Sequence, residues 1–113
     1  MSQPFSMSVA EQPGGLVATL SGMATVQARE EFDERLAELK ATPSALIVLD
    51  LAGLEFLTSH GLGSFLALHA DRQTRGGGVR IAAPNEYIRN LIKATRVDQK
   101  LRLYESVADA LKG

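Results

Sequence analysis

The apolar and polar positions of this chain follow a strand period in some stretches and a helix period in others. Residues 6–10 alternate between polar and apolar side chains, which predicts an edge strand with one wet face. Residues 12–15 contain proline and glycine and predict a hairpin turn. Residues 45–51 form an almost continuous apolar run, which is typical of a strand buried on both faces. The predicted strands are residues 6–10, 16–20, 45–51, 79–83 and 101–104.

Between these strands, apolar residues recur at helical spacing. Thr25 is the predicted N-cap of the first helix, whose acidic residues between positions 29 and 38 are expected to form its solvated face. Glycines from Gly76 onward predict the end of the second helix. The predicted helices begin near Val26, Leu62, Asn85 and Ser106. Strands that alternate with helices after a hairpin predict one α/β domain over residues 1–113, with a mixed, mostly parallel sheet of about five strands and about four helices.

The composition fits a small globular domain. The 113 residues are 45% hydrophobic and 22% charged, and the formal net charge of -1 provides no basic field for nucleic acid, so no direct nucleic-acid partner is expected. The chain has no cysteine for disulfides or thiolate chemistry. The first residues lack a signal-peptide pattern, and no apolar run approaches the roughly 20 residues of a membrane span. We therefore expect a cytoplasmic protein without membrane insertion.

The junction between the third predicted strand and the second predicted helix carries a short polar run, Thr58-Ser59-His60-Gly61. The Ser59 hydroxyl is expected to accept a hydrogen bond from a free N–H group at the helix start and so to cap the helix. Helix starts favour negative charge, and a phosphorylated hydroxyl here would change the local field and shape. This arrangement is typical of a switch and not of a catalytic site.

Residues 49–51 and 56–63 resemble the signature of STAS domains, most closely that of bacterial anti-sigma factor antagonists. The resemblance extends over nearly the whole chain, through residues 20–22 and 79–111. It implies a STAS-like α/β fold and a protein that binds a kinase-type anti-sigma factor and thereby releases a sigma factor. No catalytic constellation can be assembled from the residues, so we expect neither enzymatic activity nor a cofactor.

The chain departs from the family pattern at the site of control. In that family the loop reads roughly Asp-Ser-Ser-Gly-Leu, and a partner kinase phosphorylates the serine directly before the glycine, which is the position of His60 here. Thr58 stands where the family usually has aspartate. Two interpretations stay open. Either Ser59, with Thr58 as a second candidate, is the phosphorylation site, or kinase control is lost and a neutral, exposed His60 contacts the partner constitutively.

A second predicted contact segment follows the second strand. Residues 22–25 resemble the Gly-X-Leu-Asp loop that lies beside the phosphorylation turn in the family and helps to contact the partner, although the aspartate is absent. Met23 would offer an adaptable apolar contact if exposed; the alternative is a simple connector. The predicted partner-binding residues are Gly22, Met23, Ala24, Thr25, Thr58, Ser59, His60 and Gly61.

Other functions are compatible with the same sequence. The chain could be an accessory subunit of a lipid-transport ATPase or of a stress-signalling complex, and Gly61-Leu62-Gly63 could hold a nucleotide phosphate at the helix start. A homodimer is also open. No metal site is predicted, because His60 and His69 fall on nearly opposite sides of a helix at about 100° per residue. We expect His69 to hydrogen-bond locally.

Overall fold

The computed structural model describes residues 3–113 and contains one five-stranded sheet whose spatial order follows the chain. The strands are β1 (Ser6–Gln12), β2 (Gly15–Ala24), β3 (Leu46–Leu57), β4 (Gly78–Ala82) and β5 (Leu103–Tyr104). β1 and β2 form an antiparallel hairpin, and every later neighbour pairs in parallel. The predicted mixed, mostly parallel sheet is therefore confirmed.

Three α-helices connect the parallel strands, α1 (Arg29–Lys40), α2 (Ser59–Gln73) and α3 (Glu86–Ala94), and a fourth, α4 (Val107–Lys112), follows β5. Within residues 3–113 none of them combines the length and the apolar character needed to cross a membrane. Asn85 caps α3 and Ser106 caps α4, each by accepting a hydrogen bond from the backbone N–H three residues further along. The order of elements confirms the predicted alternation of strands and helices.

The predicted cap of the first helix is wrong. A 3-10 turn, Val26–Ala28, separates Thr25 from α1, and the Thr25 side chain makes no capping hydrogen bond. The Thr25 carbonyl oxygen instead accepts from Ala28 N at 3.1 Å. The tight turn thus uses the backbone of Thr25, since an i to i+3 bond closes it before the α-helix begins.

The third strand is longer than its apolar run suggested. β3 reaches Leu57, because Leu54 and Leu57 are buried again after the exposed Ala52 and Gly53. The fifth strand is shorter than predicted and begins at Leu103. The extension of β3 matters for the site, because it moves the end of the strand directly next to the polar run at 58–61.

The two faces of the sheet bury different helices. On one face, α1, α2 and α3 contribute Phe32, Phe65 and Ile88 to the main core. These side chains pack against strand residues that include Ile47 and Leu49. On the other face a smaller cluster joins Ala110 of α4 to Val17, Val48 and Ala82 of the strands. Ile47, Val48 and Leu49 of β3 alternate between the two clusters, as strand geometry requires.

One charged side chain is buried completely. Arg72, near the end of α2, is 0% exposed. Its Nη1 donates to the carbonyl oxygens of Thr42 and Ser44 at 2.8 and 2.9 Å, and its Nη2 donates to that of Lys40 at 2.7 Å. The guanidinium also donates to the Asp71 carboxylate, which lowers the pKa of that carboxyl below its usual value. Arg72 therefore fixes the connection between α1 and β3.

Candidate functional site

Thr58 is the whole connection between β3 and α2. Its backbone is extended, with φ -94° and ψ 166°, and its Oγ1 accepts a hydrogen bond from Gly61 N at 3.2 Å. This is the geometry of an N-cap, in which the residue before the helix satisfies one of the unpaired N–H groups. The threonine hydroxyl is therefore engaged in holding the helix start.

The predicted capping role of Ser59 is wrong, because Thr58 has that role. Ser59 is the first residue of α2 and is exposed. Its hydroxyl takes part in none of the side-chain hydrogen bonds formed within residues 3–113. The hydroxyl is thus accessible to another molecule, with no internal bond to break first.

His60 contacts the first helix, α1, through Asp33. Its Nε2 lies 2.7 Å from Asp33 Oδ1, and the other carboxylate oxygen of Asp33 lies 3.9 Å from Arg29 Nε. About a third of the imidazole is accessible, 35% of its side-chain surface. His60 was expected to be an exposed contact residue; it is only partly exposed, because it forms a bridge between α1 and α2 that still presents one side to solvent.

The two predicted contact segments meet at the end of the sheet where β2 and β3 finish. β2 and β3 are parallel and pair Ala24 with Leu57, so the residues that follow both strands lie side by side. A groove of about 180 Å³ lies between them. We call it the junction groove; it is lined by Ala24, Thr25, Val26, Arg29, Phe32, Thr58, Ser59, His60 and Gly61.

The predicted partner-binding residues differ in exposure. Gly22, Ala24 and Gly61 are buried, Ser59 is exposed, and the remaining four are partly exposed: Met23, Thr25, Thr58 and His60. Gly22 has φ +83°, and a Cβ there would stand 2.0 Å from the carbonyl oxygen of Pro4. Only glycine fits this approach. Contact with a partner through these eight residues stays a prediction.

Two exposed apolar side chains, one in the lining of the junction groove and one beside the end of β3, were not predicted from the sequence. Val26 is 73% exposed in the 3-10 turn, and Tyr87 is 48% exposed at the start of α3. The Tyr87 ring stacks on Phe56 with centroids 5.4 Å apart, and its hydroxyl donates to the Leu57 carbonyl oxygen at 3.4 Å. A valine after a predicted cap was the one available signal for Val26, and nothing in the sequence brings Tyr87 to β3.

His69 has the local role that was predicted for it. Its Nδ1 accepts a hydrogen bond from Val79 N at 2.9 Å. Burial lowers the pKa of its imidazole below the usual value, and the nearby Lys100 ammonium lowers it further. His69 and His60 have separate partners at separate places, Val79 and Asp33. Within residues 3–113 no cluster of three or more potential metal ligands exists.

Comparison with known proteins assigns the class. Residues 6–110 match the STAS domain family, and the chain belongs to that family. It is 29% identical over 115 residues to the anti-sigma-F factor antagonist RsfB of Mycobacterium tuberculosis, in an alignment that covers 100% of this chain and 93% of RsfB. The predicted family is thus confirmed.

Solved structures agree with this assignment. An anti-sigma factor antagonist from Mycobacterium paratuberculosis superposes with a TM-score of 0.83 at 26% identity, over 96% of this chain and 92% of that one. The antagonist SpoIIAA in its unphosphorylated form superposes with a TM-score of 0.79 over 95% of this chain and 94% of its own. At 14% identity the second likeness concerns the fold alone. The predicted STAS-like fold is confirmed.

Proposed function

We propose that this chain is an anti-sigma factor antagonist, which binds an anti-sigma factor and so releases a sigma factor for transcription. The observation that carries the proposal is the accessible junction groove, which is lined by Ala24 and Thr25 of the predicted contact segment 22–25 and by all of residues 58–61. The likeness to RsfB over the full chain supports it. The activity is binding by surface competition and not catalysis.

The surroundings of the groove suit a protein partner. Val26 in the groove lining and the Tyr87–Phe56 stack beside the end of β3 provide apolar anchors, while Ser59 and His60 in the groove lining provide polar groups. Protein interfaces typically combine aromatic or aliphatic anchors with a polar rim. The groove rests on buried core residues, so little ordering free energy is lost when a partner binds.

A kinase-type partner would have Ser59 as its acceptor. The hydroxyl is exposed, free of internal bonds and located in the first turn of α2, whereas the Thr58 hydroxyl caps the helix. Phosphate would add roughly two negative charges where the helix dipole favours them, and Arg29 lines the same groove. Such a group would fill the groove and displace the anti-sigma factor. Thr58 is the weaker acceptor, because its modification would disturb the cap.

The first experiment measures displacement of a sigma factor. The purified chain is added to complexes of kinase-type anti-sigma factors with their sigma factors from the same genome, and free sigma factor is quantified by size-exclusion chromatography. We expect wild type to release it and Val26→Glu to need at least about tenfold more protein, since a buried unpaired charge weakens an interface.

The matched control places the same charge elsewhere. Val9 on β1 is 44% exposed and far from the groove, so Val9→Glu should release sigma factor as wild type does. Equal loss in both variants would place the contact outside the junction groove. If wild type releases sigma factor from none of the complexes, the proposed function is wrong. Co-purification of the chain with a membrane ATPase would then favour the alternative of an accessory subunit.

The second experiment tests the acceptor. The chain is incubated with the kinase-type anti-sigma factor and ATP, and its intact mass is measured for wild type, Ser59→Ala and Thr58→Ser. We expect one phosphate on wild type and Thr58→Ser, and none on Ser59→Ala. No gain in mass for wild type would eliminate the Ser59 switch and favour constitutive binding, with His60 in the contact surface.

We also expect the protein to be located in the cytoplasm. Whether it forms a homodimer is an open question, which light scattering of the purified chain tests.

A further inference from the structure

The N-terminal segment, residues 3–5, runs beside the predicted contact segment at residues 22–25. The Gln3 carbonyl oxygen accepts a hydrogen bond from Met23 N at 3.1 Å. An isolated β-bridge pairs Pro4 with the same residue, Met23. Both contacts are made by the backbone, so residues 3 and 4 hold the contact segment without the use of their side chains.

The contact segment is otherwise paired irregularly. The antiparallel ladder between β1 and β2 ends at Ser21. On the other side, the register of β2 with β3 shifts between Gly22 and Met23, where Glu55 of β3 is skipped. A bulge of this kind interrupts the ladder and bends the strand. The N-terminal segment thus supplies backbone pairing at the point where the regular ladders of β2 stop or shift.

Gly22 permits the close approach of the two segments. Its φ is +83°, and a Cβ there would stand 2.0 Å from the carbonyl oxygen of Pro4 and 2.8 Å from that of Gln3. Two backbone carbonyl groups therefore occupy the place that a side chain at position 22 would need. Any larger residue would push the N-terminal segment and the contact segment apart.

Phe5 anchors the N-terminal segment in the main core. Its side chain is buried, and its ring centroid lies 5.3 Å from that of Phe32. The Phe32 ring lines the junction groove and lies 5.9 Å from the ring of Phe65 in α2. Tilted aromatic pairs at such distances add to the stability that burial gives. The N-terminal segment is therefore fixed to the core beneath the groove and to the contact segment beside it.

A second groove, of about 540 Å³, lies beside the N-terminal segment. Residues 3–5 and Met23 are part of its lining. Thr25 lines both this groove and the junction groove. The contact segment thus stands between two grooves, and its position depends on the backbone contacts that hold it.

We propose that residues 3–5 act as a clamp that positions the contact segment for the partner, so that affinity for the anti-sigma factor depends on residues outside the junction groove. This inference rests on the proposed function. A partner that binds both walls of the groove needs them at a fixed separation, and a surface that is already in place loses little free energy on binding. Without the clamp, residues 22–25 lose the acceptor for Met23 N and depend on the irregular ladder with β3.

The experiment compares the whole chain with a shortened chain that begins at Phe5, made by cleavage of a fusion so that residues 1–4 are absent and the anchor is kept. Amide exchange measured by NMR reports on the clamp, and we expect Met23 N–H to exchange at least about tenfold faster in the shortened chain. Release of sigma factor reports on the partner, and we expect the shortened chain to need at least about fivefold more protein. Gln3→Ala/Pro4→Ala keeps the backbone carbonyl groups and should release sigma factor as wild type does.

Gly22→Ala tests the clamp in the full-length chain, because the added methyl group collides with the Pro4 carbonyl oxygen. Gly14→Ala is the matched control. Gly14 also has a positive φ, +101°, but it lies in the hairpin turn, where a Cβ would stand 3.6 Å from the Leu111 carbonyl oxygen, an ordinary contact distance. We expect both variants to lose stability through backbone strain, and only Gly22→Ala to weaken release of sigma factor.

The proposal is overturned if the shortened chain releases sigma factor as wild type does, if the exchange of Met23 N–H is unchanged, or if Gly14→Ala weakens release as much as Gly22→Ala. Equal weakening in the shortened chain and in Gln3→Ala/Pro4→Ala would assign a direct side-chain contact and would also overturn it. Failure of wild type to release sigma factor would reject the proposed function and with it the effect on a partner, whereas the exchange of Met23 N–H would still show whether the clamp exists. Should Gly22→Ala fail to fold, the shortened chain decides alone.

Discussion

The two junctions on either side of β3 treat their polar groups in opposite ways. Between α1 and β3, the buried Arg72 donates to three backbone carbonyl oxygens and so fixes the path of the connection. Between β3 and α2, Thr58 satisfies one N–H group and leaves the Ser59 hydroxyl free. One sheet therefore combines a locked connection with an open one, and the open one is where a partner can bind.

The open junction is nevertheless rigid underneath. Gly61 lies against the core, and a Cβ there would stand 2.5 Å from Leu57 Cδ1 and 3.2 Å from Phe32 Cζ. The outer side of the same helical turn carries Ser59 and the accessible part of His60. Contact groups on a rigid element are placed accurately and lose little entropy when they bind.

The locked junction should be the more sensitive to mutation. Arg72→Met keeps the length of the side chain but leaves the carbonyl oxygens of Lys40, Thr42 and Ser44 without their donor. Because each buried unsatisfied group costs about 1–3 kcal/mol, we expect the free energy of unfolding to fall by about 3 kcal/mol or more. Urea denaturation monitored by circular dichroism measures the loss.

Arg75→Met provides the control for this variant. Arg75 is exposed and pairs with the same carboxylate, Asp71, at 3.7 Å, but it makes no backbone contact within residues 3–113 through its side chain. Its replacement should change stability little, as is usual for an exposed ion pair. If the two variants lose similar stability, the carbonyl contacts of Arg72 do not lock the junction.

A second pair of variants compares a buried and an exposed position within α2, because Gly61 and Gly63 lie on opposite sides of the helix. Gly61→Ala should destabilise by about 1–3 kcal/mol, because the added methyl group overpacks Leu57 and Phe32. A methyl group on Gly63 would have no neighbouring atom within 4 Å, so Gly63→Ala should stabilise by about 0.5–1 kcal/mol through helix propensity. Thermal unfolding of both variants tests the pair. Two changes of the same sign would show that the helix start is not anchored as described.

The sequence predicted most of the architecture, because strand and helix periods and turn residues are local signals. It misplaced the end of β3, since the apolar run breaks at Ala52 and Gly53 before Leu54 and Leu57 return to the core. That error moved the expected cap from Thr58 to Ser59. A cap is defined by where the backbone leaves the strand, and residue type alone could not separate two adjacent hydroxyl residues.

The contacts between distant elements were beyond a sequence argument. Asp33 belonged to an acidic face that was expected to be solvated, and only the packing of α1 against α2 brings it to His60. Arg72 is a charged residue in the last turn of a helix, where exposure is the usual expectation. Its burial depends on the carbonyl groups that the connection from α1 presents, and no local pattern encodes them.

Loss of the N-cap of α2 should lower the free energy of unfolding less than loss of the buried Arg72 contacts does. Thr58→Ala removes the acceptor for Gly61 N and should cost about 1 kcal/mol, the usual value of an N-cap. Ser59→Ala should leave the free energy of unfolding almost unchanged, because its hydroxyl makes no bond within residues 3–113. Urea denaturation of the two variants compares them directly. A larger loss for Ser59→Ala would return the capping role to Ser59 and remove the argument for a free acceptor hydroxyl.

The smallest expected effect is a pH dependence at the end of the sheet remote from the open junction. Burial lowers the pKa of His69 below its usual value of about 6.5, so the unfolded chain binds this proton more readily than the folded one. Stability from His69 is therefore complete above about pH 6.5 and declines as the pH falls through the lowered pKa of the folded state. Protonation of Nδ1 also breaks its bond to Val79 N.

His69→Asn isolates this contribution, because the amide oxygen of asparagine can accept from Val79 N and does not titrate. We expect urea denaturation between pH 5 and 7.5 to give a shallower dependence of stability on pH for this variant than for wild type. The NMR titration of the wild-type His69 ring should yield a pKa below about 6.5. An equal slope in both proteins, or a ring that titrates above this value, would mean that the imidazole is not held neutral by its buried position beside Lys100.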